Sequence, residues 1–279
     1  MSSIFMRFPE GKGKALTLSY DDGVEQDVRL IDIMKKNGLK GTFNLNSGIY
    51  APEGTVYPQG TIHRRMSGKQ VTELYSGSGM EVAVHALTHP FLEQLPANLV
   101  ANEIVKDREN LEAQFDTIVR GMAYPFGTYS DAVVDCLKST GIVYSRTTIS
   151  SRKFSIPRDW LRLEATCHHG DPQLMELARK FAEEETGRGP WLFYLWGHSY
   201  EFERDDNWEI IETFAEYMGG RDDIWYATNI EIYEYVEAYN RLVFGMDGQK
   251  VFNPTAYELY LQKEDKVYCV KPGEMLKLD

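Results

Sequence analysis

Residues 15–23 read Ala15-Leu16-Thr17-Leu18-Ser19-Tyr20-Asp21-Asp22-Gly23. The apolar and hydroxyl-bearing run to Tyr20 has the length and composition of a strand, and the two carboxylates with their glycine mark its C-terminal end. The same punctuation recurs along the chain. Candidate strands at Gly41–Asn46, Met80–His85, Gly121–Tyr124, Val143–Thr147, Leu161–Thr166, Leu192–Trp196 and Ile224–Thr228 follow in order. They alternate with helical patterns at Asp27–Asn37, Lys69–Tyr75, Leu99–Phe115, Asp131–Ser139, Pro172–Glu185, Trp208–Met218 and Ile230–Leu242. Asp27 and Asp171 are expected to cap helix starts, with Gly38 and Gly219 as stops. Seven or eight such units without a linker predict an α/β fold, a distorted (β/α)7-8 barrel over residues 1–245. Residues 246–279 carry turn signals at Asn253-Pro254 and Pro272-Gly273 and no helical period, which predicts a small C-terminal β appendage packed on the barrel.

Composition narrows the functions. The 279 residues are 43% hydrophobic and 13% aromatic, enough for a full core. Thirty basic against 42 acidic residues give a net charge of −12. That charge argues against a general nucleic-acid backbone binder and a polybasic membrane-surface role. No run of about 18 apolar residues offers a membrane span. The start, Met1-Ser2-Ser3-Ile4-Phe5, lacks the ~7–15-residue apolar stretch of a secretory signal, which points to the cytoplasm. Cys136, Cys167 and Cys269 are far apart and form no C-x-x-C pair, so free thiols are expected.

Chemistry-bearing residues gather at the expected C-terminal strand ends, where such barrels place their active groups. Asp21 and Asp22 follow the first strand, and Gly23 permits the tight turn that would aim both at the barrel mouth. His85 and His89 stand four apart, a spacing that on a helix puts both imidazoles on one face and within reach of one metal. A carboxylate from elsewhere would complete a His-His-Asp set with open positions. In Ala123-Tyr124-Pro125-Phe126-Gly127, a Pro-aromatic-Gly turn can aim a backbone N–H at a developing oxyanion. Leu195-Trp196-Gly197-His198 places an imidazole beside an apolar wall. Each pattern alone is common as turn or core chemistry. Their joint occurrence is not.

Together they resemble the polysaccharide deacetylases of carbohydrate esterase family four, the nodulation-type deacetylase homology domain. The family's first motif, T-F-D-D-G, is matched at Ser19 to Gly23, and its second, H-S/T-x-x-H, at His85 and His89 with Ala86 in the hydroxyl position. Its fifth, L-x-H or a close variant, is matched by Leu195 and His198 with two residues between. The likeness runs from about Ala15 to Ile232. It implies that Asp22, His85 and His89 bind one divalent cation, zinc first, with cobalt, nickel, manganese or iron as alternatives. It implies Asp21 as general base, His198 as general acid, and the Phe126 N–H as oxyanion donor. Tyr124, Leu195 and Trp196 would line the substrate pocket, with Leu195 and Trp196 closing on an acetyl methyl. The family's third motif opens with an Arg that orients the catalytic Asp. Here Ala123 stands in its place and Arg120 lies three residues too early, so Arg162 is the candidate. The fourth motif's Asp, partner of the acid His, is matched in letters by Asp159-Trp160.

The implied activity is metal-dependent hydrolysis of N-acetyl groups on an amino sugar or its oligomer. A small non-sugar amide on the same barrel is the alternative substrate, and a non-catalytic carbohydrate-binding barrel the alternative class. Retention of Asp21 and His198 beside the three ligands speaks against a pure binder. Cys167-His168-His169 and Glu201 remain outside these motifs; substrate contact is expected of the two histidines before a second metal.

Overall fold

The computed structural model describes residues 3–278. All eight residues of the strand Lys14–Asp21 are buried. Alternation divides them between two environments. Leu16, Leu18 and Tyr20 enter the layer between sheet and helices, while Ala15 joins the inner cluster. Thr17 bonds Asn229 on that inner face, and Ser19 accepts from Asn44. A strand covered on both faces is what a parallel barrel requires.

Parallel neighbours flank it, Gly41–Leu45 on one side and Trp191–Gly197 on the other. Glu81–Val84, Gly121–Ala123, Tyr144–Ser150 and Leu163–Ala165 continue the order. The last of these breaks only at Thr166 and resumes as Cys167–His168, which pairs with Trp191–Gly197. Arg152 N–H donates to Thr166 O on one side, and Thr166 N–H donates to Tyr194 O at 2.8 Å on the other. The pairings therefore return to the strand they began from. A short eighth strand, Ile224–Tyr226, lies against residues 14–16. The α/β barrel expected from the sequence is borne out.

The helices match their patterns closely, with three differences. Asp27 does not cap: it lies inside the helix Asp27–Lys36, and its carboxylate accepts from Val24 N–H, Tyr75 Oη and Ser199 Oγ. Asp171 sits one turn ahead of the helix Leu174–Glu183 and accepts from Gln173 N–H. The helix Ser199–Arg204 went unread because six residues are too few to show a period.

The lower end of the barrel, where the strands start, is closed from within the fold. Asn229 N–H donates to Thr42 Oγ1 and Ile230 N–H to Glu81 Oε2, which seats the helix Asn229–Asn240 under the strands. Beneath it, Leu259–Lys263 and Lys266–Val270 form an antiparallel sheet with Ile4–Arg7 from the other end of the chain. Val243–Phe244, Lys250–Phe252 and Met275–Lys277 make a second small sheet. No helix among the described residues is long and apolar enough to cross a membrane.

Packing is tight where Gly121 starts its strand. A Cβ there would lie 2.0 Å from Tyr144 Oη, and Tyr144 is fully buried with its hydroxyl on Glu81. Gly121→Ala should lower the urea midpoint by the equivalent of ~1–3 kcal/mol, the usual cost of overpacking. Gly189→Ala, with nothing within 4 Å, should leave it in place or raise it slightly.

Candidate active site

Asp21 ends its strand with 2% of its surface exposed. One carboxylate oxygen accepts from Asn44 Nδ2 at 2.8 Å, and the other accepts from the Arg146 guanidinium. Arg146 is the third residue of the strand Tyr144–Ser150, is completely buried, and lies 4.5 Å over the Trp196 ring. The cation that orients Asp21 is therefore Arg146 and not Arg162. Arg162 precedes the strand Leu163–Ala165 and is taken up by Asp159 and Asp131. Burial alone would raise the Asp21 carboxyl, but Arg146, then His85 and His198, outweigh it and hold the group below the usual carboxylate value.

His85 and His89 do not share a helix. His85 follows the strand Glu81–Val84, and positive φ at Ala86 (62°) and His89 (57°) turns the chain back, leaving the two rings 4.8 Å apart. His85 Nδ1 lies 2.8 Å from Ala123 O and must donate to it, so the lone pair is left on Nε2. That Nε2 is buried and has no hydrogen-bond partner. Asp107 accepts from the His85 backbone N–H and fixes it from behind. Ligand atoms of Asp22, His85 and His89 lie within 4.8 Å of one another. An orphaned imidazole nitrogen facing a second imidazole and a carboxylate is a donor set that fits a divalent ion. Burial pushes His85 down, and burial with neighbouring His85 takes His89 down to about 4, so both are neutral near pH 7.

On the other side of Asp21, His198 Nε2 stands 3.8 Å from Asp21 Oδ2, the same distance as His85 Nε2. Its Nδ1 faces Glu201 Oε2 at 3.5 Å. Asp159, the partner expected from sequence, starts the turn before Leu163–Ala165, where it is exposed and paired with Arg162. Trp160 packs there too, on Tyr233. Glu201 also meets His168 Nε2 at 2.9 Å and His169 Nε2 at 3.2 Å. Burial would raise its carboxyl, and the three imidazoles hold it well below the usual range instead. His168 Nδ1 accepts from Gly170 N–H, so Nε2 carries the proton and donates to Glu201. Although His168, His198 and Glu201 are close enough to share an ion, this tautomer makes them a hydrogen-bonded cluster. Burial lowers His198, but Glu201 and Asp21 overcome it and raise the imidazole above its usual 6.5.

The pocket residues divide. Trp196, two before His198, lies on the inner face with Arg146 against its ring and His168 edge-on at 4.6 Å. Leu195 points the other way, fully buried among helix-facing side chains, because strand parity puts neighbouring residues on opposite faces. It closes no acetyl pocket. Tyr124 is likewise buried in the helix-facing layer, 1% exposed, its hydroxyl on Leu161 O. Phe126 does reach the mouth: at φ 58° its half-exposed ring stacks on Phe91 and meets His89 edge-on.

Residues 9–145 match the sequence model of the polysaccharide deacetylase family. A Mycobacterium smegmatis protein assigned to the polysaccharide deacetylases superposes with a TM-score of 0.56 at 16% identity, covering 84% of this chain and 93% of that one. The Streptococcus pyogenes deacetylase PplD, in complex with acetate, is 23% identical (TM-score 0.46) over 52% of this chain, which spans 61% of that protein's length. A CE4 family pseudoenzyme from Bacillus anthracis is 18% identical (TM-score 0.47), covering 82% of this chain and 67% of its own. Such identities speak to the fold alone. Residues 9–145, which carry three of the four constellations, are thus the part of the chain that matches the polysaccharide deacetylase family.

Proposed function

We propose that this protein is a metal-dependent hydrolase that removes N-acetyl groups from an amino sugar or its oligomer. The observation that carries the reading is the placement of Asp21. It is buried and anionic, midway between the candidate ligand His85 and the imidazole of His198, with Asp22 and His89 completing the mouth. The match of residues 9–145 to the polysaccharide deacetylases supports the substrate class.

Asp22, His85 and His89 would hold the ion, and zinc suits two imidazoles and a carboxylate. Bound there, it would polarise the amide carbonyl and bring the pKa of a water towards about 7. Asp21 accepts the proton of the attacking water, and its low pKa keeps it ionised for that task. The Phe126 N–H, at the mouth, donates to the oxygen on which charge develops. His198, raised by Glu201 and Asp21, protonates the departing nitrogen. An amine cannot leave without that proton. Trp196 walls the pocket. Asp21 and His198 both have their supporting partners in place, as a pure sugar binder would not need.

Elemental analysis should find one divalent ion in the wild type and none in His85→Ala or His89→Ala. Stoichiometric metal in both variants would remove the ligand assignment, and absence of acetate release from chitooligosaccharides by the loaded wild type would remove the substrate. Asp21→Asn should keep its metal and lose ~10²–10⁴ in kcat, the range of a general base. Near-normal turnover would make Asp21 a structural residue.

His198 must be protonated to act, so amide hydrolysis should be full below its raised pKa and fall as pH rises through it. Glu201→Gln removes a raising charge, so the falling limb should move to lower pH. An aryl acetate, whose leaving group needs no proton, should show neither the limb nor the shift. A limb common to both substrates would assign it elsewhere.

A further inference from the structure

Residues 51–66 leave the barrel after the turn Ser47–Ile49 and return across its mouth before the helix Gly68–Tyr75. The return leg is fastened to the chain just past Asp22. Met66 N–H donates to Gly23 O at 3.0 Å and Glu25 N–H to Arg64 O at 2.8 Å. Arg64 binds Glu25 and Glu203 together, and Gln26 Nε2 donates to Ile62 O. Held this way, the leg delivers two side chains to one carboxylate. His63 Nε2 lies 3.1 Å from Asp22 Oδ2. Arg65 Nη2 donates to Asp22 Oδ1 at 3.1 Å, while its Nη1 donates to the Asp22 backbone O at 2.8 Å and to Asn46 Oδ1 at 2.9 Å.

Asp22 needs this support. Its φ of 84° is a conformation that side-chain-bearing residues rarely adopt, and it persists only where neighbours over-determine it. We propose that His63 and Arg65 are positioning residues for the metal: Arg65 pins the Asp22 main chain and carboxylate together, and His63 occupies Oδ2. The carboxylate then turns Oδ1, which also accepts from Arg65, towards the ion; this is the atom that faces His89 Nε2 at 3.9 Å. This rests on the reading that Asp22, His85 and His89 hold the ion. Among the described residues the clustered ligand atoms at this site are those of Asp22, His85 and His89, and His63 is not one of them. His63 thus acts through Asp22. Arg65 would oppose a dication by its charge while it orients the ligand, so His63, half exposed at the mouth, gives the cleaner test.

The test is the Kd for Co²⁺ and its visible spectrum, measured on wild type, His63→Ala, His63→Gln and Asp22→Ala, with thermal unfolding of each metal-free protein as the fold check. Losing a partner behind a ligand costs ~10–100-fold in affinity, so His63→Ala should weaken binding by that factor and alter the visible bands. His63→Gln, which restores an N–H donor, should recover most of both. Unchanged affinity in His63→Ala overturns the inference. Equal weakening in Ala and Gln variants also overturns it, because His63 would then be a direct ligand. Equal binding by wild type and Asp22→Ala is the separate result that would end the underlying ligand reading, and the inference with it.

Discussion

A carboxylate and a guanidinium share the inside of this barrel, and the site is arranged around them. Asp21 and Arg146 come from strands 125 residues apart in sequence, and neither has appreciable contact with solvent. Removing one partner of such a pair strands a buried charge, typically at ~3–5 kcal/mol. The surroundings answer that cost in detail. Asn44 takes the other Asp21 oxygen, and the Trp196 ring lies under the guanidinium. With Asp21 fixed, His85 and His198 approach its Oδ2 at equal distances from different strands. One strand neighbours Asp21 at Trp191–Gly197, and the other reaches it across Gly41–Leu45.

Backbone strain marks where the chain must depart from regular structure to aim these groups. Asp22, Ala86, His89 and Phe126 all have positive φ, and each follows a strand end at the mouth. Non-glycine residues hold such conformations when their surroundings leave no alternative. Asn46 supplies one such constraint, donating to the carbonyls of His85 and Ala86. Asp107 supplies another: it takes both the N–H and the hydroxyl of Ser47 as well as the His85 N–H. The loops are therefore cross-braced beneath the side chains they present.

The strand and helix rhythm was legible because burial on both faces leaves an unmistakable run such as 15–20, and the strand-end rule then placed Asp21, Asp22, His85, His89 and His198 together. The errors have physical causes. Arg162 is held by Asp159 and Asp131 and so reaches neither Asp21 nor His198, a commitment the motif letters do not carry. Leu195 fails by parity, since one step along a strand reverses the face. Arg146 looks in sequence like one more polar residue in Tyr144–Ser150, and no local pattern announces a partner across the barrel. Glu201 lies on a helix too short to read, yet only that turn brings it behind His198. Asp27 and Tyr124 were misread because tertiary hydrogen bonds claimed them.

The two ends of the barrel show how little is needed to give like groups opposite charge states. Glu81, at the start of its strand, accepts from Thr42 Oγ1, Tyr144 Oη and Ile230 N–H, all neutral donors. Burial dominates there and pushes its carboxyl up to about 7. Asp21 is more enclosed still, yet its carboxyl is held below the usual value because Arg146 adds a full charge at hydrogen-bond distance. Neutral donors soften the cost of desolvation, whereas a cation reverses it. The lower end, under the helix Asn229–Asn240, can therefore close over a carboxyl that gives up its charge readily. The upper end keeps an anion facing two imidazoles, and one guanidinium sets that difference.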